Sequence, residues 1–212
     1  MPNLDKSVSL IEGSHTLFIY DRLEWDRMEK RKTVSRVHES TAKIWSLSRR
    51  HELLPIHRVL LGHDGSMTSL LELISCCEVA IRTIKQAVVL CPSEAADLLA
   101  VDAGEPTNER EIIIVRKTDD LPLLYARSYT PLSRLKPVFK ADLMRADIPI
   151  GKIMQMHRIE ARREILDVGY RESERSLELL LACPGPYLWR VYNIITEGKP
   201  LITVKECFSV AL

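Results

Sequence analysis

The chain has 212 residues, of which 46% are hydrophobic and 28% are charged. This apolar content excludes a wholly disordered chain, and the length fits one large domain or one domain with an appendage. Thirty basic and 29 acidic side chains leave a net charge of +1. That balance argues against nucleic acid as the main partner, because no overall positive field would release counterions from phosphates.

The sequence also indicates where the protein resides. No apolar run approaches the length of about 18 residues that a membrane span requires. The N-terminus lacks a basic segment followed by an apolar one, so no signal peptide is expected. The five cysteines are odd in number and include no CxxC pair, which favours reduced thiols. We therefore expect a cytoplasmic protein without a membrane segment.

Hydrophobic periodicity predicts the elements in chain order. Residues 21–50 are rich in charge and predict one or two surface helices. Helices are then expected over 53–62 and 66–75, the second capped by the turn at 64–66. The remaining predicted elements are a strand at 79–90, a connection at 98–108, a hairpin of strands 110–117 and 122–130, a helical stretch at 132–156 broken near Pro149, a strand at 158–169, a helix at 175–183, and a hairpin of strands 187–196 and 201–210.

Strands outnumber helices in this pattern, and the two hairpins make the sheet largely antiparallel. The predicted fold class is α+β, with helices packed on a single sheet. Residues 1–50 are too few to form a substantial core alone, so we treat them as an N-terminal helical extension and 51–212 as the domain.

The last strand carries a carboxylate on an apolar face. Side chains alternate along a strand, so Ile202, Val204, Glu206 and Phe208 share one face. That face is expected to point to the core, which buries Glu206. A buried carboxylate needs partners or a raised pKa. Glu206 is therefore either a functional group or one half of a structural pair with a core arginine.

Three arginines occupy comparable positions on other strands. Arg110 shares a face with two isoleucines, Arg127 with two tyrosines, and Arg163 with Ile165. Guanidinium groups on half-buried sheet faces suit bidentate carboxylate binding. The alternative for each is a strand-end arginine that reaches water, or one that pairs with a nearby glutamate such as Glu109 or Glu111.

Several common sites are excluded by their missing motifs. The sequence contains no GxGxxG, GxxxxGK[ST], HExxH or GxSxG pattern. Its histidines and cysteines do not show metal-ligand spacing, so no metal site is predicted. Nothing in the sequence holds a base beside Cys76 or Cys77, which disfavours a nucleophilic cysteine.

Five stretches in fixed order resemble the chorismate pyruvate-lyase (4-hydroxybenzoate synthase) family, including its archaeal-type relatives. They are DGSMTSLLE at 64–72, REIII at 110–114, LLYARSYTPLSRL at 123–135, IPIGKIM at 148–154 and GKPLITVKECF at 198–208. The resemblance covers about 51–212 and leaves residues 1–50 outside it. It implies a six-stranded antiparallel sheet with helices on it and an internal ligand cavity.

The resemblance also implies a carbon–oxygen lyase without a cofactor. Such an enzyme removes the enolpyruvyl ether of chorismate as pyruvate and leaves 4-hydroxybenzoate. Arg110 would then bind the ring carboxylate, and Glu206 would act at the phenol end. Met67, Ile150 and Gly151 would line the pocket, while Arg127 or Arg163 would take the second carboxylate. We expect Glu206 to have a raised pKa and to transfer protons.

One departure from the family bears directly on Glu206. The hairpin after Gly198 is one residue longer than in the best-known branch of the family. A slip of one residue would turn Glu206 to the other face of the sheet.

Three other functions remain open at this stage. A family member could release 3-hydroxybenzoate or act on a related chorismate-derived ether. The fold is also that of effector-binding domains of transcription regulators, which bind small acids without catalysis and which PGPYLWRVY at 184–192 resembles. A degenerate member that only binds an aromatic acid is the third. The sequence leaves the downstream pathway and the oligomeric state undetermined.

Overall fold

A computed structural model describes residues 36–145 and 148–211 of the chain, with the side chains of 36–38 left aside. The helices of this part are α1 (Arg36–His51), α2 (Pro55–Gly62), α3 (Met67–Ser75), α4 (Ser93–Leu99), α5 (Pro137–Met144), α6 (Ile150–Met156) and α7 (Arg175–Leu181). The strands are β1 (Val79–Leu90), β2 (Pro106–Arg116), β3 (Pro122–Pro131), β4 (Arg162–Arg171), β5 (Tyr187–Thr196) and β6 (Lys199–Ser209).

The six strands form one antiparallel sheet in the order β1-β2-β3-β6-β5-β4. Hairpins join β2 to β3 and β5 to β6, and the pairing of β3 with β6 unites the two halves. The α+β class and the six-stranded antiparallel sheet predicted from the sequence are therefore confirmed.

Helices cover both faces of the sheet. We call the face that carries Ala126 and Val204 the front face, and it packs against side chains of α1, α2, α3, α5 and α6. The back face is covered by α4, through Ala96 and Leu99, and by α7, through Leu177 and Leu181. Cover on both faces explains why the four central strands, β3 above all, are nearly continuously buried, whereas the edge strands β1 and β4 are not.

Several element boundaries differ from the sequence prediction, most clearly the starts of two strands. Strand β2 begins at Pro106, whereas residues up to 108 were expected to form a connection. The extension adds Asn108 and Glu109 to the sheet. Strand β4 begins at Arg162 rather than at residue 158. The helical stretch is confirmed with its break before α6, and α4 is an additional short helix.

The described part of the N-terminal region is helical, as expected. Helix α1 packs beside β4, and its Lys43 pairs with Asp167 of that strand. The prediction of one or two helices over residues 21–50 lies outside the described residues as far as residue 35, and the domain boundary at residue 50 stays a prediction. Over the described ranges, no helix is long and apolar enough to cross a bilayer.

The β5–β6 hairpin contains a register irregularity near its turn. Glu197 and Gly198 both have positive φ, as a two-residue type I′ turn requires. Ile194 pairs with Ile202 but Ile195 pairs with Pro200, so Leu201 forms a bulge. Pairing is regular from Ile202 to Ser209, and the alternation predicted for this strand is therefore retained.

Candidate active site

A partly enclosed cavity of about 80 Å³ lies between the front face and the helices above it. That space is several times what one water molecule needs. Its walls are mostly apolar, with a small number of polar groups. The lining residues used below are Ser66, Met67, Arg110, Ile112, Ala126, Ser128, Ile150, Gly151, Arg163, Tyr192, Val204 and Glu206.

Arg110 provides the positive charge at the β2 side of the cavity. The residue is only 2% exposed, and its Nη1 donates to the Ile148 carbonyl oxygen at 2.8 Å. Its Nη2 donates to the Thr83 hydroxyl at 3.3 Å. These bonds fix the guanidinium between the edge of the sheet and the segment that leads into α6. A buried, anchored guanidinium of this kind is suited to an anionic ligand.

Glu206 lies in the floor of the cavity, on the face predicted from the sequence. Its Oε2 accepts a hydrogen bond from Nε of Arg190 at 2.6 Å, and its Oε1 accepts one from the Tyr192 hydroxyl at 2.9 Å. Arg190 is fully buried and also donates to the carbonyl oxygens of Leu60 and His63. The carboxylate thus lines the cavity and also pairs with a core arginine. The structural pairing considered from the sequence is present, and it does not remove Glu206 from the cavity.

The cross-strand register sets the distance between these two groups. Arg110 is opposite Ser128, and Glu206 is opposite Ala126, two residues along the same strand. Two strand spacings and a two-residue offset separate the α-carbons by about 12 Å. Both side chains point into the space above Ala126. Because the alanine side chain is small, it leaves room for the cavity there.

The walls opposite the sheet come from two helix N-termini. Ser66 caps α3 by accepting a hydrogen bond from the Ser69 amide at 3.3 Å, and this cap positions Met67 over the cavity. Ile150 and Gly151 begin α6 and close another side. All three predicted lining residues are therefore brought to the cavity.

Arg163 lies on the far side of the cavity from Arg110. It is half-buried, and its Nη1 is 3.4 Å from the Asp64 carbonyl oxygen, a long hydrogen bond. Gly151 faces it, since a Cβ added there would be 3.9 Å from Nη2 of Arg163. The two cavity arginines are on β2 and β4, four strand spacings apart, or about 19 Å across the sheet.

Arg127 does not join the cavity, contrary to the expectation from the sequence. It is opposite Glu111 in the β2–β3 register, so its side chain projects from the back face. There its Nε donates to Glu109 at 2.7 Å, while Glu111 lies 3.6 Å away. The structural alternative, pairing with nearby glutamates, is the one that the structure shows for this residue.

Two side chains that contact Glu206 were missed from the sequence. Arg190 and Tyr192 are on β5, where Arg190 is opposite Glu206 and Tyr192 is opposite Val204. A signal was available, because a buried carboxylate on β6 requires partners on the neighbouring strand of the same hairpin. Finding them needed the register, which the bulge at Leu201 displaces by one residue.

Burial and a neighbouring charge also shift the pKa of the Tyr192 phenol. Burial first, and then the adjacent Glu206 carboxylate, raise the pKa of the Tyr192 phenol well above its usual range. The guanidinium of Arg190 lies 4.9 Å from the centre of its ring. The phenol therefore remains protonated at neutral pH and donates to Glu206. Within residues 36–145 and 148–211, no group of three or more potential metal ligands is assembled.

Comparison with known proteins places the chain in a family. Residues 60–212 match the family described as "Chorismate pyruvate-lyase Rv2949c-like", and the chain belongs to this family. A relative from Methanocaldococcus jannaschii, provisionally named lyase MJ0807, is 37% identical over 174 residues, covering 79% of this chain and 85% of the relative. The chorismate pyruvate-lyase of Mycobacterium tuberculosis H37Rv is 25% identical over 166 residues, covering 71% of this chain and 78% of the relative.

Solved structures with the same fold are domains of transcription regulators. The effector domain of PhnF from Mycobacterium smegmatis aligns with a TM-score of 0.58 at 13% identity, covering 68% of this chain and 88% of that domain. The ligand-binding domain of a GntR-family regulator from Bordetella bronchiseptica aligns with a TM-score of 0.53 at 16% identity, covering 61% and 85%. At these identities the likeness shows the fold, and it confirms the chorismate lyase-like architecture.

Proposed function

We propose that this protein is a chorismate pyruvate-lyase that converts chorismate into 4-hydroxybenzoate and pyruvate without a cofactor. The observation that carries the proposal is the order of charges along one cavity. Arg110 lies at one side, Glu206 lies in the floor and Arg163 lies at the other side. Two separated cations with a carboxylate between them match a substrate with two carboxylates and a reacting carbon between them.

The dimensions support binding of the ring. With α-carbons about 12 Å apart, Arg110 and Glu206 can reach the two ends of a para-substituted aromatic acid between their side chains. Arg110 binds the ring carboxylate, and Glu206 meets carbon 4 and its hydroxyl. Ile112 and Ala126 lie beneath the ring, and Met67 and Ile150 lie above it. An apolar enclosure with few polar groups is typical of small-molecule sites.

The enolpyruvyl group then extends towards β4. Its carboxylate meets Arg163, to which the described residues offer one long hydrogen bond, so that the guanidinium can turn to a ligand. Arg127 is removed from this role because it lies on the back face, paired with Glu109.

The reaction requires little beyond these groups. Glu206 takes the proton from carbon 4, the C4–H electrons complete the aromatic ring, and the C3–O bond breaks to release enolpyruvate. Enolpyruvate gains a proton at its methylene carbon and becomes pyruvate. Aromatisation drives the reaction, so no metal or redox step is needed. A positioned base of this kind contributes about 10²- to 10⁴-fold to a rate.

We further propose that the protein acts in the cytoplasm on this small molecule and does not use nucleic acid as a partner. All five cysteines are free thiols, and four of them are at least partly buried. Free thiols fit a reducing compartment.

The test is a product assay with purified protein, chorismate and EDTA. Products are separated by chromatography against 4- and 3-hydroxybenzoate standards, and pyruvate is measured in parallel. We expect 4-hydroxybenzoate and pyruvate in equal amounts, well above spontaneous decay.

Two other outcomes would contradict the proposal in different ways. Release of 3-hydroxybenzoate would retain this cavity as the site of a lyase but would contradict the proposed mechanism and product. No product, together with binding of 4-hydroxybenzoate measured by calorimetry, would indicate a non-catalytic acid-binding domain.

A further inference from the structure

We propose that Tyr192 is a catalytic residue that delivers a proton to the enolpyruvyl group and recovers it from Glu206. The inference rests on the proposed lyase activity and assigns a role to a side chain that neither the sequence motifs nor the family resemblance singled out. Tyr192 combines two properties. Its hydroxyl donates to Glu206 at 2.9 Å, and the residue itself lines the cavity.

The register puts Tyr192 between the two groups that handle the leaving part of the substrate. Following cross-strand pairs, Arg110, Ser128, Val204 and Tyr192 form one row across the sheet. Glu206 is two residues further along β6 on one side of this row. Arg163 is opposite Ile194, two residues along on the other side.

This placement coincides with the bond that breaks. If the ring extends from Arg110 to Glu206 and the enolpyruvyl carboxylate meets Arg163, the C3–O ether and the methylene carbon lie over Tyr192. Among the ionisable side chains of the described lining residues, Tyr192 is the one on this row that carries a transferable proton. Arg110 remains a cation, and Glu206 is occupied with the proton from carbon 4.

The proton balance closes without any further reactant. The C4–H proton passes to Glu206, the C3–O bond breaks, and its electron pair remains on enolpyruvate. The methylene carbon then takes the phenolic proton of Tyr192, and the protonated Glu206 returns its own proton to the phenolate through the existing hydrogen bond. One proton leaves carbon 4 and one arrives on pyruvate, so Glu206 and Tyr192 end as they began.

The relay also uses the hydrogen bond in both states. Before reaction the carboxylate accepts from the phenol. After it has gained a proton, the carboxyl group is the donor and the phenolate is the acceptor. Arg190 keeps the other carboxylate oxygen fixed at 2.6 Å, so the rearrangement needs no movement of the backbone.

The test compares the release of the two products by Tyr192→Phe and by the unchanged protein. 4-Hydroxybenzoate is followed by absorbance, and pyruvate is followed by coupled reduction with lactate dehydrogenase. In the unchanged protein we expect both products to appear together. In the Tyr192→Phe protein we expect about 10²-fold slower turnover, within the range for a lost acid–base group, and a lag of pyruvate behind 4-hydroxybenzoate while free enolpyruvate ketonises in solution.

Tyr125→Phe is the matched control. Tyr125 is also buried and also donates to a glutamate, with its hydroxyl 2.8 Å from Oε2 of Glu111, but it lies on the back face. We expect that variant to release both products together at nearly the original rate. Pyruvate that keeps pace with 4-hydroxybenzoate in Tyr192→Phe would overturn the role of Tyr192 while leaving the lyase intact. Absence of both products from the unchanged protein would overturn both proposals.

A second measurement needs no variant and so does not depend on its folding. Chorismate stereospecifically deuterated at the enolpyruvyl methylene is converted in tritiated water, and the chirality of the pyruvate methyl group is determined. Delivery by a fixed phenol predicts one predominant configuration. A racemic methyl group would show that the enol is protonated in solution and would overturn the proposal.

Discussion

Both faces of the sheet bury a carboxylate, an arginine and a tyrosine, and the cavity described above lies on the front face. On the front face, Glu206 is bound by Arg190 and Tyr192 and opens to the space below Met67. On the back face, Glu109 is bound by Arg127 and Tyr129, beneath the side of the sheet that α4 and α7 cover.

The electrostatics of the back face are those of a stabilising network. Burial alone would raise the pKa of Glu109, but the hydrogen bond from Lys85 and the charge and hydrogen bonds of Arg127 and Tyr129 lower it overall. Burial, and then the charge of Glu111, raise the pKa of Tyr125 far above its usual range. Shifted pKa values and dense pairing therefore accompany burial as such. In the proposed mechanism, Glu206 differs from Glu109 in lining a cavity that can hold the substrate.

The largest expected difference between the faces is in catalysis. Glu206→Gln and Glu109→Gln each remove one buried charge from a paired arginine. We expect Glu206→Gln to lower turnover by about 10²- to 10⁴-fold while 4-hydroxybenzoate still binds, because the base for carbon 4 is lost. Glu109→Gln should keep turnover within about twofold per folded molecule. Steady-state rates and calorimetric binding on both variants check this, and similar rates for the two would remove the distinction between the faces.

On the back face, the expected effect is on stability rather than on catalysis. Arg127→Leu removes the cation that faces Glu109 and Glu111 in a site where both carboxylates are almost fully buried. Lys85 still pairs with Glu109, but Glu111 loses the cation 3.6 Å away, and removing one partner of a buried ion pair costs about 3–5 kcal/mol. We expect a loss of that size in the free energy of unfolding measured with urea, with turnover unchanged in the folded protein. A stable variant that fails to turn over chorismate would return Arg127 to the substrate site.

The third prediction separates the substrate from the product. Arg163→Gln should raise KM for chorismate by about 10- to 100-fold, the size expected for a lost charged hydrogen bond, and leave the Kd of 4-hydroxybenzoate unchanged because the product has no second carboxylate. Arg162→Gln is the control, since the Arg162 side chain is 64% exposed and pairs with Glu164. Equal weakening of both ligands would contradict the role given to Arg163.

The smallest effect is a pH dependence of stability. The folded pKa of Glu109 lies below its usual value, so its ionised form stabilises the fold at all pH values above the usual glutamate pKa. That contribution is lost as pH falls through the folded pKa. We expect the midpoint of urea unfolding to decrease from about pH 4 downwards, and to decrease less steeply in Glu109→Gln. Identical acid profiles would show that Glu109 does not contribute.

The sequence predicted the placement of single side chains of the site better than the relations between strands. Alternation along 202–208 placed Glu206 on the core face, and the capping turn at 64–66 placed Met67 at the start of a helix. Both inferences depend on a single element. Ile150, Gly151 and Arg163 followed from the resemblance and from alternation, and all line the cavity.

Relations between strands were harder to predict. Arg110 and Arg127 each lie on an inward position of their own strand, yet they point to opposite faces because Arg110 is opposite Ser128. An irregularity between Ile114 and Val115 sets that register, and residue types alone do not reveal it. Arg190 and Tyr192 were missed for the same reason, since their link to Glu206 depends on the bulge at Leu201.

The most direct test of the account is a crystal structure of the protein with 4-hydroxybenzoate. We predict the aromatic ring above Ala126 on the front face, with its carboxylate on Arg110 and its phenol within hydrogen-bond distance of Glu206 or Tyr192. A ring bound elsewhere, or bound here with its carboxylate turned away from Arg110, would contradict the account.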